Sequence, residues 1–227
     1  MNYYCGERSE LVKEIATELF GNVEMVEKSI RNPTYFLSVD GRKMKVKFTF
    51  KNSIWVKIHE FLLTKNLCLP KIIKQHFFNN SWQAVFMEWI GGEALWPLWD
   101  ELYKYVLPIK TVPVEHFYGV GELVGEVSSY QLPKSLKMWI TLGDLILDQF
   151  VLSKDDGKIY LVDTSKFYLD CDPIRWVIHL IFYNRTYQEE QKEAFLEGFM
   201  KTYKINQLSV SSQRVERFLK LIKERQC

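Results

Sequence analysis

The sequence predicts an α+β protein, with antiparallel strands concentrated in residues 1–87 and helices through most of residues 93–227. Three observations carry that expectation. Runs of β-branched and aromatic residues cluster between Val23 and Phe50, and Asp40-Gly41, a dipeptide that closes tight hairpins, joins two of them. Apolar residues at helical spacing dominate the second half. A last hairpin signal, Asp155-Asp156-Gly157, lies between Phe150-Val151-Leu152 and Ile159-Tyr160-Leu161-Val162.

Taken in order, residues 10–20 place Leu11, Ile15, Leu19 and Phe20 at helical spacing, and Gly21-Asn22 stops that helix. Strands are expected at 23–29, 34–39 and 43–50. In the third, Lys43, Lys45 and Lys47 alternate with Met44, Val46 and Phe48. By itself such a pattern is an edge strand with a solvated lysine face. A helix over 53–65 carries Glu60, with Ile54, Ile58, Phe61 and Leu62 on its apolar side, and ends before Leu69-Pro70. Phe77-Phe78, the turn Asn79-Asn80-Ser81 and residues 82–89 form a further hairpin, which leaves through Gly91-Gly92. Helices are expected at 93–106 and 114–130, separated by Pro108 and Pro113, and again at 188–203 and 211–224. The last presents Arg214, Arg217, Lys220 and Lys223 as a solvated basic face.

The 227 residues fit one large domain or two joined lobes, and 47% hydrophobic with 15% aromatic content excludes a disordered chain. A net charge of +2 gives no global electrostatic case for nucleic acid or an anionic membrane. Cys5, Cys68, Cys171 and Cys227 form no CxxC pair, which points to a reducing compartment and no structural zinc. With no signal-like apolar core near Met1 and no run approaching the roughly 20 apolar residues of a membrane span, a soluble cytoplasmic protein is expected.

The hairpin over 150–162 has a carboxylate before its first strand, Asp144, and another after its second, Asp163. A hairpin draws its outer ends together, so the two carboxylates are expected to be neighbours. That arrangement suits a divalent metal and a general base. An ordinary surface hairpin with acidic ends is the bland reading of the same residues.

The stretch from Leu142 to Asp163 resembles the catalytic core of the protein-kinase-like fold, in the branch of aminoglycoside, choline and related small-molecule phosphotransferases. There the catalytic loop typically reads His-Gly-Asp-Leu-His-x-x-Asn, and a metal-binding aspartate follows about a hairpin later. Leu142-Gly143-Asp144-Leu145-Ile146-Leu147-Asp148-Gln149 fills the first pattern and Leu161-Val162-Asp163 the second. The resemblance implies that Asp144 is the base or acceptor-orienting carboxylate, and that Asp163 and Gln149 are magnesium ligands. Two positions depart from the pattern. Leu142 replaces the histidine and costs a scaffold hydrogen bond, while Gln149 replaces the asparagine and carries its amide oxygen one methylene further out.

Ordered landmarks extend the resemblance over residues 29–182. It implies that Lys47 binds the nucleotide phosphates, with Lys45 on the same face as the fallback, and that Glu60 pairs with that lysine. Met87-Glu88-Trp89, followed by Gly91-Gly92-Glu93, resembles the family's hinge, so backbone groups around Glu88 and Trp89 would face the adenine. Arg31-Asn32-Pro33-Thr34 occupies the phosphate-covering turn without a glycine-rich signature. Asp172-Pro173 follows in order, although Trp176 or Val177 stands where a structural aspartate is usual. The implied architecture is two-lobed: a small antiparallel-sheet N-lobe at 1–87, a hinge at 88–92, and a mainly helical C-lobe at 93–227.

The activity so implied is ATP- and Mg2+-dependent transfer of the γ-phosphate to a small hydroxylated acceptor, sugar-like or aminoglycoside-like. Trp96 and Trp99 suit stacking on such an acceptor, or packing between elements. The alternative, favoured by Leu142, Gln149 and the missing aspartate, is a pseudokinase: a nucleotide-binding or interaction module with a protein partner. The short helical lobe and the lack of an Ala-Pro-Glu segment disfavour a protein kinase.

Overall fold

The structure, a computed structural model, describes residues 7–28, 34–78, 81–95, 112–132, 138–143, 147–171, 177 and 187–203. The chain forms two compact units, Met1–Ser53 with Pro70–Gly91, and Ile54–Leu69 with Gly92–Cys227.

The first unit is a helix on a sheet. Helix α1 (Glu7–Phe20) is followed by β1 (Val23–Lys28), β2 (Thr34–Val39), β3 (Arg42–Phe50), β4 (Ile72–Phe77) and β5 (Trp82–Glu88). The five strands form one antiparallel sheet in the order β1-β2-β3-β5-β4. Asp40 (φ 48) and Gly41 (φ 72) make the two-residue turn between β2 and β3, the left-handed pair that matches strand twist. One sheet face buries Tyr35, Leu37, Met44, Val46, Ala84 and Phe86 against Val12, Ile15 and Ala16 of α1. Each such large side chain contributes about 1.5–3 kcal/mol by leaving water. The alternation that puts Met44 and Val46 in this core turns Lys45 and Lys47 to the other face. Because β3 lies between β2 and β5, the edge-strand reading of its lysines does not hold.

The second unit contains α2 (Ile54–Leu63), β6 (Gly92–Ala94), α3 (Val114–Ser128), β7 (Trp139–Leu142), β8 (Phe150–Ser153), β9 (Ile159–Leu161), β10 (Phe167–Asp170) and α4 (Glu189–Thr202). Helices α3 and α4 pack backbone to backbone: a Cβ at Gly121 or Gly198 would run into Phe195 O or Tyr118 O. Thr202 Oγ1 donates to Glu122 O at 2.6 Å across this contact, and Lys201 pairs with Glu122 at 2.7 Å. Strands β7 and β10 pair, and β6, β8 and β9 form a second small sheet.

The differences from the sequence expectation are local. Glu93 lies in strand β6, paired with Leu152, where the sequence pattern starts a helix. Gly92 permits this because its hydrogen stands where any Cβ would run into Leu152 O. The pairing of β7 with β10 was not anticipated. Helix α2, expected in the N-lobe, belongs to the second unit, where its buried face is Trp55, Val56, Ile58, His59 and Leu62. Pro108, Trp96, Trp99, Asp172, Pro173, Trp176 and the helix expected at 211–224 lie outside the described residues. No helix among the described residues is long and apolar enough to cross a membrane.

Candidate active site

The β8–β9 hairpin is the scaffold of the candidate site. Phe150 pairs with Leu161, Val151 with Tyr160, and Leu152 with Ile159. The closed end turns at Gly157 (φ 68), where Ser153 N–H donates to Lys158 O at 2.9 Å. Side chains complete this turn: Asp156 accepts from Lys158 N–H at 3.2 Å and from the Tyr160 hydroxyl at 3.1 Å. Desolvation alone pushes the Asp156 carboxyl up, but those bonds, the Ser153 hydroxyl and the Lys158 charge together hold it below its usual value.

At the open end, Val162 N–H donates to Gln149 O at 2.8 Å, so Gln149 stands across the strand pair from the residue preceding Asp163. The 3-10 turn Leu147–Gln149 buries both Leu147 and Gln149. Gln149 Oε1 is enclosed and accepts no hydrogen bond among the described residues. An enclosed amide oxygen in that state costs about 1–3 kcal/mol unless something else satisfies it. Asp163 is half-buried, and its Oδ1 accepts from Ser165 N–H at 3.1 Å and Ser165 Oγ at 2.7 Å. These bonds fix the carboxylate on its own loop.

Asp144 lies outside the described residues, so its expected adjacency to Asp163 does too. The residue before it does not. Gly143 N–H donates to Lys166 O at 3.0 Å, joining the residue before Asp144 to the chain leaving the Asp163 loop. Leu142, where the sequence pattern has a histidine, is buried in β7 opposite Phe167.

Of the remaining expected residues, Lys47, Glu88 and Trp89 belong to the first unit and Glu60 to the second. Lys47 is 5% exposed on the central strand of the first unit's sheet, whereas Lys45, on the same face, is half-buried. Glu88, at the end of β5, donates its N–H to Lys71 O at 2.9 Å, and its Oε1 accepts Lys71 N–H at 2.9 Å. Both groups are thus committed to Lys71, at the open end of the β4–β5 pair. Trp89 is 43% exposed, with its ring edge-on to Phe36 at 5.1 Å. Glu60 is exposed on α2 in the second unit.

Its neighbour His59 was missed. His59 is fully buried, with Nδ1 2.8 Å from Thr164 Oγ1, and Thr164 directly follows Asp163. The signal was present in the spacing, because Trp55, His59 and Leu62 share one helical face.

Among the described residues no three of His, Cys, Asp and Glu gather as a metal cluster. Magnesium in nucleotide sites takes one or two protein carboxylates together with phosphate oxygens and water. One anchored carboxylate and one unsatisfied amide oxygen at the same hairpin end are hard oxygen donors of that kind, so Asp163 and Gln149 fit the ion.

No protein-family model matches the chain, and no curated protein matches it in sequence. Solved structures do match it in three dimensions. The choline kinase LicA from Streptococcus pneumoniae is 16% identical, with a TM-score of 0.58 over 96% of this chain and 92% of that one. The spectinomycin phosphotransferase APH(9)-Ia, solved with ADP and spectinomycin, is 10% identical, with a TM-score of 0.59 over 94% and 84%. The aminoglycoside-3'-phosphotransferase of type VIII is 12% identical, with a TM-score of 0.54 over 88% and 93%. The chain has the fold of the kinase-like phosphotransferases.

Proposed function

We propose that the protein is an ATP- and Mg2+-dependent phosphotransferase acting on a small hydroxylated acceptor of the sugar or aminoglycoside kind. One observation carries this reading: the open end of the β8–β9 hairpin holds at Gln149 an enclosed amide oxygen, unsatisfied among the described residues, close in register to the anchored carboxylate of Asp163. Structural neighbours crystallised with ADP or AMP-PNP support nucleotide use.

In the proposed reaction the acceptor oxygen bonds to the γ-phosphorus as the bond to the β,γ-bridging oxygen breaks. ADP leaves with that electron pair, and the acceptor proton passes to the Asp144 carboxylate. Bound Mg2+ supplies neutralisation of phosphate charge. Asp163 and Gln149 would hold it, and the Lys47 ammonium would position phosphates. Backbone groups around Trp89 would meet the adenine, since the Glu88 N–H is already engaged.

Thermal unfolding with ATP, with and without Mg2+, tests this reading. Ligand at a hundred times its Kd raises stability by about 2.7 kcal/mol. The expected result is Mg2+-dependent stabilisation that Lys47→Ala removes and Lys45→Ala largely keeps. A wild type indifferent to ATP would overturn the proposal. Binding with no turnover would leave a nucleotide-binding pseudokinase, the reading that Leu142 favours.

A further inference from the structure

We propose that His59 is a positioning residue for Asp163: acting through Thr164, it fixes the loop that presents this carboxylate to magnesium. The inference rests on the reading of Asp163 as a metal ligand. His59 and Thr164 are 105 positions apart in the chain, yet Nδ1 and Oγ1 lie 2.8 Å apart with both residues almost wholly excluded from solvent. The tautomer of His59 sets which of the two donates.

Packing alone does not call for an imidazole here. The rest of the buried face of α2 is Trp55, Val56, Ile58 and Leu62, and an apolar side chain would serve the same face. Trp55 stands edge-on to the His59 ring at 6.5 Å, which limits how the ring turns. An enclosed polar group is retained at a cost unless its hydrogen bond is made, so the ring and the hydroxyl fix each other.

The loop is held at each successive residue. Val162 N–H is bonded to Gln149 O, the Asp163 carboxylate to Ser165, and Thr164 O accepts Phe167 N–H at 3.1 Å. All of these bonds are short-range or belong to the hairpin. His59–Thr164 ties the loop to a separate helix. Leu142, buried and apolar, offers the loop no side-chain hydrogen bond from β7. Groups that orient a metal ligand without touching the ion commonly change metal affinity 10- to 100-fold when removed.

Thr164→Val removes the hydroxyl at nearly constant shape, and Thr164→Ser restores it. The measurement is a Mg2+ titration of ATP-dependent thermal stabilisation, with ATP in EDTA as the metal-free control. Thr164→Val and His59→Leu should each raise the half-saturating Mg2+ concentration about tenfold or more. Thr164→Ser should titrate like wild type, and metal-free nucleotide binding should be equal in all four proteins. Backbone hydrogen exchange over 162–167, without ligand, gives a second readout, expected to quicken in Thr164→Val and to recover in Thr164→Ser. A wild-type Mg2+ titration in Thr164→Val, or a serine variant as impaired as the valine one, overturns the proposal. A wild type showing no Mg2+-dependent ATP binding overturns the metal role together with the functional reading. In that case quickened exchange in Thr164→Val would identify His59 as a purely structural anchor.

Discussion

Two hairpins in this molecule grow from the same local chemistry, an aspartate and a glycine between apolar runs, and they differ in what stands at their ends. In β2–β3 the turn is two residues long, Asp40 and Gly41, and six residue pairs follow in register. Its strands lie inside a five-stranded sheet, and one face is sealed by α1. In β8–β9 the ladder has three pairs, and the turn between Ser153 and Lys158 is completed by side chains. Its open end holds, at Gln149, an enclosed amide oxygen without a partner among the described residues, and at Asp163 a carboxylate held by Ser165. The first hairpin pairs both of its strands along their length and packs one face against a helix. The second is incomplete at one end, and an incomplete polar end is where a ligand restores the balance. Turn chemistry places a hairpin; its open end indicates its use.

The largest expected effect separates the two aspartates of the candidate site from the aspartate of the β2–β3 turn. Asp144→Asn should retain ATP binding but lower phosphoryl transfer about a hundredfold or more, the loss expected for a general base. Asp163→Asn should weaken Mg2+-dependent ATP binding itself, because a hard anionic oxygen is lost. Asp40→Asn should change neither, since asparagine tolerates a positive φ of 48. ATP hydrolysis to water reports all three without knowledge of the acceptor. Equal hydrolysis by Asp40→Asn and Asp144→Asn would erase the distinction between the hairpins.

A smaller effect, in opposite directions for stability and activity, is expected at Gln149. Gln149→Leu removes the unsatisfied oxygen, so stability in urea should hold or rise by about 1 kcal/mol. Mg2+-dependent turnover should fall about tenfold or more if the oxygen serves the metal. Gln149→Asn, with the oxygen one methylene closer to the backbone, should keep turnover. A leucine variant that is less stable and equally active would show that the amide serves the fold.

The helix of residues 7–20, the β2–β3 hairpin, β5, α3, the β8–β9 hairpin and α4 were legible because each is specified by its own residues. Asp40-Gly41 dictates its turn, and Leu11, Ile15 and Leu19 dictate a helical face. What depends on distant partners was not legible. Gly92–Ala94 is extended because β8 lies alongside, and Trp139–Leu142 because β10 does, neither of which is written locally. The close approach of α3 and α4 rests on Gly121, Gly125 and Gly198, whose meaning appears only when the helices meet. At the site, Gln149 and Asp163 were legible as positions in a pattern. The burial of His59 was readable from helical spacing, but its bond to Thr164 was not, because that partner is 105 positions away and nothing near Thr164 in the sequence announces it.

Gly41→Ala and Gly157→Ala give a finer comparison of the two turns. Both glycines are left-handed, at φ 72 and φ 68, and at neither would an added Cβ have an atom within 4 Å. The cost is therefore backbone strain alone, about 1–2 kcal/mol for an L-residue in that region. Both variants should lose similar stability by chemical denaturation. Gly157→Ala should leave Mg2+-dependent ATP binding unchanged, because it alters the closed end of its hairpin and not the open one. A change in metal dependence with Gly157→Ala would mean that the two ends are coupled.

The smallest effect expected is a response to acid confined to the second turn. Desolvation by itself raises the Asp156 carboxyl, but the Lys158 N–H, the Ser153 and Tyr160 hydroxyls and the Lys158 charge outweigh it and leave the group below its ordinary 3.8. A carboxylate depressed in the folded state contributes stability that is fully present above the unfolded value. That contribution is lost as pH falls through the lower folded value. The turn at Asp156 should therefore stay closed through neutral and mildly acid pH and loosen only below about 3.8. The Lys158 amide proton, bonded to Asp156 Oδ1 at 3.2 Å, is the reporter. Its NMR shift should titrate with a midpoint below 3.8 in wild type and lose that transition in Asp156→Asn. A midpoint at or above the ordinary value would mean that the side chain does not hold the turn in solution. The β8–β9 turn would then rest on its backbone alone, as the β2–β3 turn does.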